Sequence, residues 1–142
     1  MRLATFTDYS LRVLIFLALK EDELSTVAEI ADKYQISKNH LVKVVHKLST
    51  LKIIDSFKGK GGGISLAISP EDINVGKIVR ELEKDSLLLE CFGSSSECKI
   101  NPVCKMKAAL RQAENNFYNT LEEYSLADLT TNQRQLSSIL FS

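Results

Sequence analysis

Apolar residues recur at helical spacing near the start of the chain: Leu11, Leu14, Ile15, Ala18 and Leu19 form one broad stripe. That stripe predicts a core helix from about Thr7 to Lys20, ended by the acidic turn Glu21 to Glu23. Thr26 and Glu29 then stand at capping-box spacing and open a short helix through about Lys33, with Val27, Ile30 and Ala31 facing inward. After the tight connection Tyr34-Gln35-Ile36, Ser37 is a favourable N-cap for a third helix, Lys38 to about Ser49. Its inward positions are Leu41, Val44, Val45 and Leu48. The period then changes. Ile53 to Phe57 and Ile64 to Ile68 are rich in branched and aromatic residues and flank Lys58-Gly59-Lys60-Gly61-Gly62-Gly63, which predicts a β-hairpin.

Ser69-Pro70 turns into a fourth helix, about Asn74 to Lys84, carrying Val75, Ile78, Val79 and Leu82 on one face. A polar loop follows, and Pro102 sits where proline favours the first turn of a helix. From there Val103, Met106, Leu110, Ala113, Phe117, Leu121 and Tyr124 repeat at steps of three and four. A helix of roughly 22 residues, about 33 Å long, bears more apolar surface on such a stripe than a small domain covers. It reads as a dimerisation helix. Ser125 caps a last short helix to about Leu129, and the residues from Thr130 carry no decisive pattern.

The fold class that results is mainly α with a small β-hairpin. A winged helix-turn-helix domain is expected over residues 1–84, a ligand-binding loop over 85–104, and the dimerisation helix with a C-terminal segment over 102–142. With 142 residues and 44% apolar composition, there is material for one small core and little more. No apolar run approaches the length that spans a membrane. The opening MRLATFTDYS has no secretory apolar core, so the reducing cytoplasm is the expected location.

The formal net charge is zero, yet the charges are segregated. Residues 1–70 carry ten Lys/Arg against seven Asp/Glu, and residues 71–142 carry eight against eleven. The window from Ser37 to Lys60 holds six lysines and a single acid, Asp55. Such a window is either a solvated helix face or the footprint of a phosphate backbone. Two helices joined by a short turn, the second presenting Lys38, Asn39, Lys43 and Lys47, favour the second reading, with double-stranded DNA as partner. Asn39, His40 and Lys43 are then the base-contact candidates, and Lys38, Lys47, Lys58 and Lys60 the phosphate contacts. At the wing tip, Gly61 and Gly62 would let backbone amides approach phosphate. Enzyme chemistry is not expected: the chain has no nucleophile elbow, no H-E-x-x-H and no histidine near its cysteines.

All three cysteines, Cys91, Cys98 and Cys104, lie within fourteen residues. Six residues separate the first pair and five the second, wider than the Cys-x-x-Cys knuckles of common zinc modules. Thiolates suit an iron–sulfur cluster, which wants four ligands, so another donor must complete the site. A zinc site and a thiol redox switch stay open on spacing alone.

Several segments together carry a resemblance: Met1-Arg2-Leu3 with Phe6-Thr7-Asp8-Tyr9, Ile36-Ser37-Lys38-Asn39-His40-Leu41, the wing Lys58 to Gly63, Val79-Arg80-Glu81-Leu82, the three cysteines, and Ser125-Leu126-Ala127-Asp128-Leu129. In these the chain resembles the NsrR-type nitric-oxide-sensing repressors, within the iron–sulfur winged-helix regulators that also include IscR. The resemblance implies a homodimer on a palindromic operator, with each cluster held by three cysteines near the dimer interface. It implies a 4Fe-4S cluster whose fourth ligand is Asp8 from the partner subunit, with Glu83 and Asp85 as fallback donors. Nitric oxide would be the signal, cluster nitrosylation releasing the operator. IscR-type members bind 2Fe-2S, possible here too, through a histidine three residues after the last cysteine; this chain has Lys107 there. The competing readings are a regulator sensing iron–sulfur status or redox state, and a zinc-binding winged-helix interaction module.

Overall fold

The computed structural model describes residues 2–94 and 97–142. Met1 and the Ser95-Ser96 part of the expected ligand-binding loop lie outside the described residues. Helix α1 spans Thr5–Leu19 and buries Val13, Leu14, Phe16, Leu17 and Ala18. It begins two residues earlier than the apolar stripe predicts, because Ala4 is extended and its carbonyl accepts from the Asp8 N–H. The Ala4 N–H in turn donates to the buried Glu83 carboxylate at 2.7 Å, which ties the chain start to the end of α4 (Val75–Leu82).

Helix α2 (Val27–Tyr34) is capped as its sequence predicts, Thr26 Oγ1 accepting from the Glu29 N–H at 3.1 Å. Gln35, in the left-handed region at φ 57°, ends it and turns the chain toward α3 (Lys38–Thr50). Ser37 caps α3 through the His40 N–H. The inward faces of these three helices meet in one core, where Leu14, Phe16, Ile30, Leu41, Val44 and Leu48 are each fully buried. Burial of that size stabilises by about 1.5–3 kcal/mol per large apolar side chain.

Strands β1 (Ile54–Phe57) and β2 (Gly63–Leu66) form the antiparallel wing, with Ile54 opposite Leu66 and Phe57 opposite Gly63. Ile64 plugs the wing into the core, and Ser25 pairs with it through two backbone bonds. At the tip Gly59 and Gly61 adopt φ of 88° and 80°, conformations that L side chains rarely accept.

The second half departs from expectation at two points. Pro102 does not enter the long helix but lies in a 3-10 turn, Asn101–Val103, so α5 runs only over Lys105–Leu121, 17 residues instead of roughly 22. The chain end, undecided by pattern, forms α6 (Gln133–Leu140) after a 3-10 turn at Ala127–Thr130. Leu126, Leu140 and Phe141 return to the first core, where the Phe141 ring meets Phe16 edge-on at 5.1 Å. A smaller cluster, Val75, Val79 and Tyr118 with Leu3, Leu11 and Leu121 around it, joins α4 to α5 and to α1. Gly76 permits that approach: a Cβ there would lie 2.6 Å from the Cα of Glu122.

Candidate functional site

Helix α3 and the wing present one basic surface. Lys38, Asn39, Lys43, Lys58 and Lys60 are exposed, and Lys47 is half-buried. Glu81 faces this edge as well; its carboxyl is held below the usual range by Lys84, 2.7 Å away, and to a lesser degree by Lys47. One of the expected phosphate lysines therefore already has an acid nearby. His40, expected among the base contacts, is half-buried, with its ring centroid 4.8 Å from that of Tyr9 and 6.1 Å from that of Phe6. The N–H of Gly62 donates to the Gly59 carbonyl at 3.0 Å, which commits this amide to the turn rather than to a phosphate. Missing from the sequence reading is Val42, 49% exposed on α3 between Asn39 and Lys43.

Asp8 lies in the first turn of α1, and both its oxygens are engaged. Arg12 Nε and Nη2 donate to Oδ1 and Oδ2 at 3.0 Å each, a bidentate pair one helical turn apart. The Arg12 guanidinium is held firmly charged by that hydrogen bond and lies 5.5 Å from the centroid of the Tyr9 ring and 5.9 Å from that of Tyr34. Tyr34 donates its hydroxyl to the Arg12 carbonyl at 2.9 Å, and burial pushes the phenol up to about 12. Glu83, a fallback donor, is buried and occupied by the Ala4 N–H, whereas Asp85 is exposed.

Cys91 sits half-buried in a 3-10 turn, Glu90–Phe92, and Cys98 is exposed. Cys104 is half-buried and is the N-cap of α5, its Sγ accepting from the Lys107 N–H at 3.3 Å. All three are free of disulfides. The Cys91 turn is held against the same helix, because Arg111 of α5 lies 4.1 Å from the centroid of the Phe92 ring. Lys107, at the position where a histidine would ligate, donates Nζ to Asn101 Oδ1 at 2.7 Å and braces the turn before Cys104. Among the described residues no three His, Cys, Asp or Glu side chains converge on a metal-binding point.

The donor set nevertheless fits a soft iron cluster. Three thiols stand on one segment, two of them are anchored to α5, and one sits at a helix N-terminus, where an amide donor and the helix dipole favour negative sulfur. Holding such a cluster would require the three sulfurs to converge and a donor from elsewhere to complete the set. At the end of this segment and the start of α5, three apolar side chains are exposed: Ile100 at 56%, Val103 at 80% and Met106 at 60%.

Comparison with known proteins places this arrangement. The model of the Rrf2 family, described as an iron-dependent transcriptional regulator, matches residues 3–132. The HTH-type transcriptional regulators NsrR of Halalkalibacterium halodurans and of Bacillus subtilis are each 45% identical over 142 residues, covering 99% of this chain and 97% of theirs. Among solved structures, the oxidized form of Staphylococcus aureus CymR superposes with a TM-score of 0.72 at 26% identity, over 92% of this chain and 97% of that one. T. potens IscR gives 0.74 at 23% identity, over 93% and 88%, a likeness of fold. A winged helix-turn-helix fold, matched over residues 3–132 by the family model and along almost its whole length by regulators 45% identical to it, makes this chain a transcriptional regulator belonging to the Rrf2 family.

Proposed function

We propose that the chain is a DNA-binding repressor of the cytoplasm that senses nitric oxide through an iron–sulfur cluster, most simply 4Fe-4S. Cys91, Cys98 and Cys104 would hold the cluster, and Asp8 of the partner subunit would supply the fourth ligand. The observation that carries the reading is the cysteine segment itself: three cysteines without a disulfide between α4 and α5 in the chain, with Cys104 capping α5 next to exposed apolar side chains. When bound, such a cluster supplies iron open to a small diatomic ligand, since a carboxylate is a harder and weaker partner than thiolate.

The chain's own residues do the rest. Residues 1–84 and the wing bind the duplex, residues 85–104 hold the metal, and the Ile100, Val103 and Met106 surface pairs two copies so that two α3 helices read the halves of a palindrome. Asn39 and Lys43 reach base edges, and Val42 offers an apolar contact of the kind a thymine methyl takes. Lys38, Lys58 and Lys60 neutralise phosphates. Asp8, to serve as a ligand, would give up its two bonds to Arg12, and α1, which packs against α3, would carry that change to the recognition helix.

The test is iron and acid-labile sulfide in protein purified without oxygen, for the wild type and for Cys91→Ser, Cys98→Ser, Cys104→Ser and Asp8→Ala. The proposal expects about four iron and four sulfide per wild-type chain, loss in every cysteine variant, and a cluster of shortened lifetime without Asp8. Colourless wild-type protein with stoichiometric zinc would overturn it.

A further inference from the structure

His40 was expected to read bases, but its surroundings give it another task. The ring is half-buried at the start of α3, tilted 58° against Tyr9 with centroids 4.8 Å apart, and Phe6 stands on the same side at 6.1 Å. Tyr9 follows Asp8 directly, and the guanidinium that grips both Asp8 oxygens lies 5.5 Å from the Tyr9 ring centroid. Asp8, Arg12, Tyr9 and His40 thus form an unbroken run of contacts from the first turn of α1 to the first turn of α3. At the far end the His40 N–H makes the capping bond to Ser37 Oγ at 3.3 Å, and Asn39 and Lys43 lie within one turn. Packed aromatic contacts transmit displacement because interiors have no slack to absorb it.

We infer that His40 is a positioning residue: its ring, packed on Tyr9 beside Asp8, carries the state of the Asp8 carboxylate to the first turn of the recognition helix. The inference rests on the reading of Asp8 as a ligand. When Asp8 is engaged by Arg12, Tyr9 is flanked by the guanidinium and by His40. When Asp8 is engaged elsewhere, the guanidinium is released, Tyr9 resettles, and His40 moves the N-cap turn with it. The other histidine, His46, is exposed on the same helix and lies outside this run. It serves as an internal control.

Two experiments decide it. In the first, the ring resonances of the two histidines are followed by NMR in cluster-free protein at one fixed pH, with His46→Gln used for assignment. Asp8→Asn should shift the His40 resonance and leave that of His46 in place; an unmoved His40 resonance would overturn the inference, whatever the protein does with nitric oxide. In the second, operator affinity is compared before and after nitric oxide for anaerobically purified wild type, His40→Leu and His40→Phe. His40→Leu should bring the ratio of the two affinities closer to one by about two- to tenfold, the scale of one aromatic contact. His40→Phe should restore the ratio, and neither should alter base preference. A His40→Leu protein with the wild-type ratio, or variants with relaxed preference at one operator position, would assign His40 to base contact or packing instead. If wild type lacks any response to nitric oxide, the functional proposal fails, and the NMR experiment still decides the link from Asp8 to α3.

Discussion

Replacing Gly76 with alanine tests how closely α4 and α5 pack, and with it the platform from which the cysteine segment hangs. The new Cβ would lie 2.6 Å from the Cα of Glu122 and nearer still to its backbone nitrogen, against an ordinary contact distance of at least 3.4 Å, so the two backbones must part by at least about 0.8 Å. The obstacle is main chain and has no rotamer to escape into. Overpacking of this kind costs up to about 3 kcal/mol. The same shift strains the Asn74 side-chain bond to the Glu122 carbonyl at 2.8 Å and the Val75 N–H bond to Tyr124 at 3.0 Å. Each is worth about 1 kcal/mol. Alanine recovers about 1 kcal/mol of helix propensity. The net expectation is a loss of up to about 4 kcal/mol, which in urea lowers the unfolding midpoint by up to about 2 M for an m-value near 2 kcal/mol per M. The assay is urea unfolding followed by circular dichroism at one fixed protein concentration. Lys77→Ala, at the exposed neighbouring position, serves as control and should stay within about 0.5 kcal/mol of wild type. A Gly76→Ala midpoint equal to or above that of wild type would refute the close helix contact.

Lys58→Ala at the wing should weaken binding to all DNA sequences alike and lower the salt slope by about 1; a changed base preference would contradict its assignment to phosphate. Val103→Asp and Met106→Asp place a charge on the uncovered face of the segment leading into α5, so sedimentation should find a species near the 15.9 kDa of one chain where wild type sediments at about twice that mass. Variants that remain dimers would remove that face from the interface. Tyr34→Phe removes the hydroxyl bond to the Arg12 carbonyl and should cost about 1 kcal/mol near neutrality. Because burial raises the folded phenol from 10.0 to about 12, the wild type keeps this contribution below pH 10 and loses it as pH rises toward 12. The stability gap between the two proteins should therefore narrow over that interval, and a constant gap would contradict the cause assigned.

The first four helices and the wing were legible because their signals are local. Thr26 and Ser37 each accept the N–H that their spacing predicts, Asn74 caps α4 in the same way without having been read as a cap, and Ser125 exchanges two bonds with Asp128 as a cap should. Helix α6 was not legible, since its reason for forming is distant: Leu140 and Phe141 are fixed by α1, with Lys20 Nζ 4.9 Å from the Phe141 ring centroid. The stripe was read as one period from Val103 to Tyr124, yet both ends lie outside α5 and the residue buried most deeply from this helix is Tyr118, one position off the stripe. That is why so much of the stripe faces outward. Within the site, the cysteines announced themselves by clustering, whereas the engagement of Asp8 by Arg12 was available from their i, i+4 spacing and was missed. The packing of His40 on Tyr9 depends on how α1 crosses α3, which no periodicity encodes.

The most direct measurement is a titration of anaerobically purified protein with nitric oxide, recording visible absorption and operator occupancy in the same samples. The account predicts a brown protein whose broad absorption falls stepwise, with operator release following the same equivalents of nitric oxide. Operator binding that persists after the absorption has gone, or a protein that stays colourless even after cluster reconstitution, would contradict it.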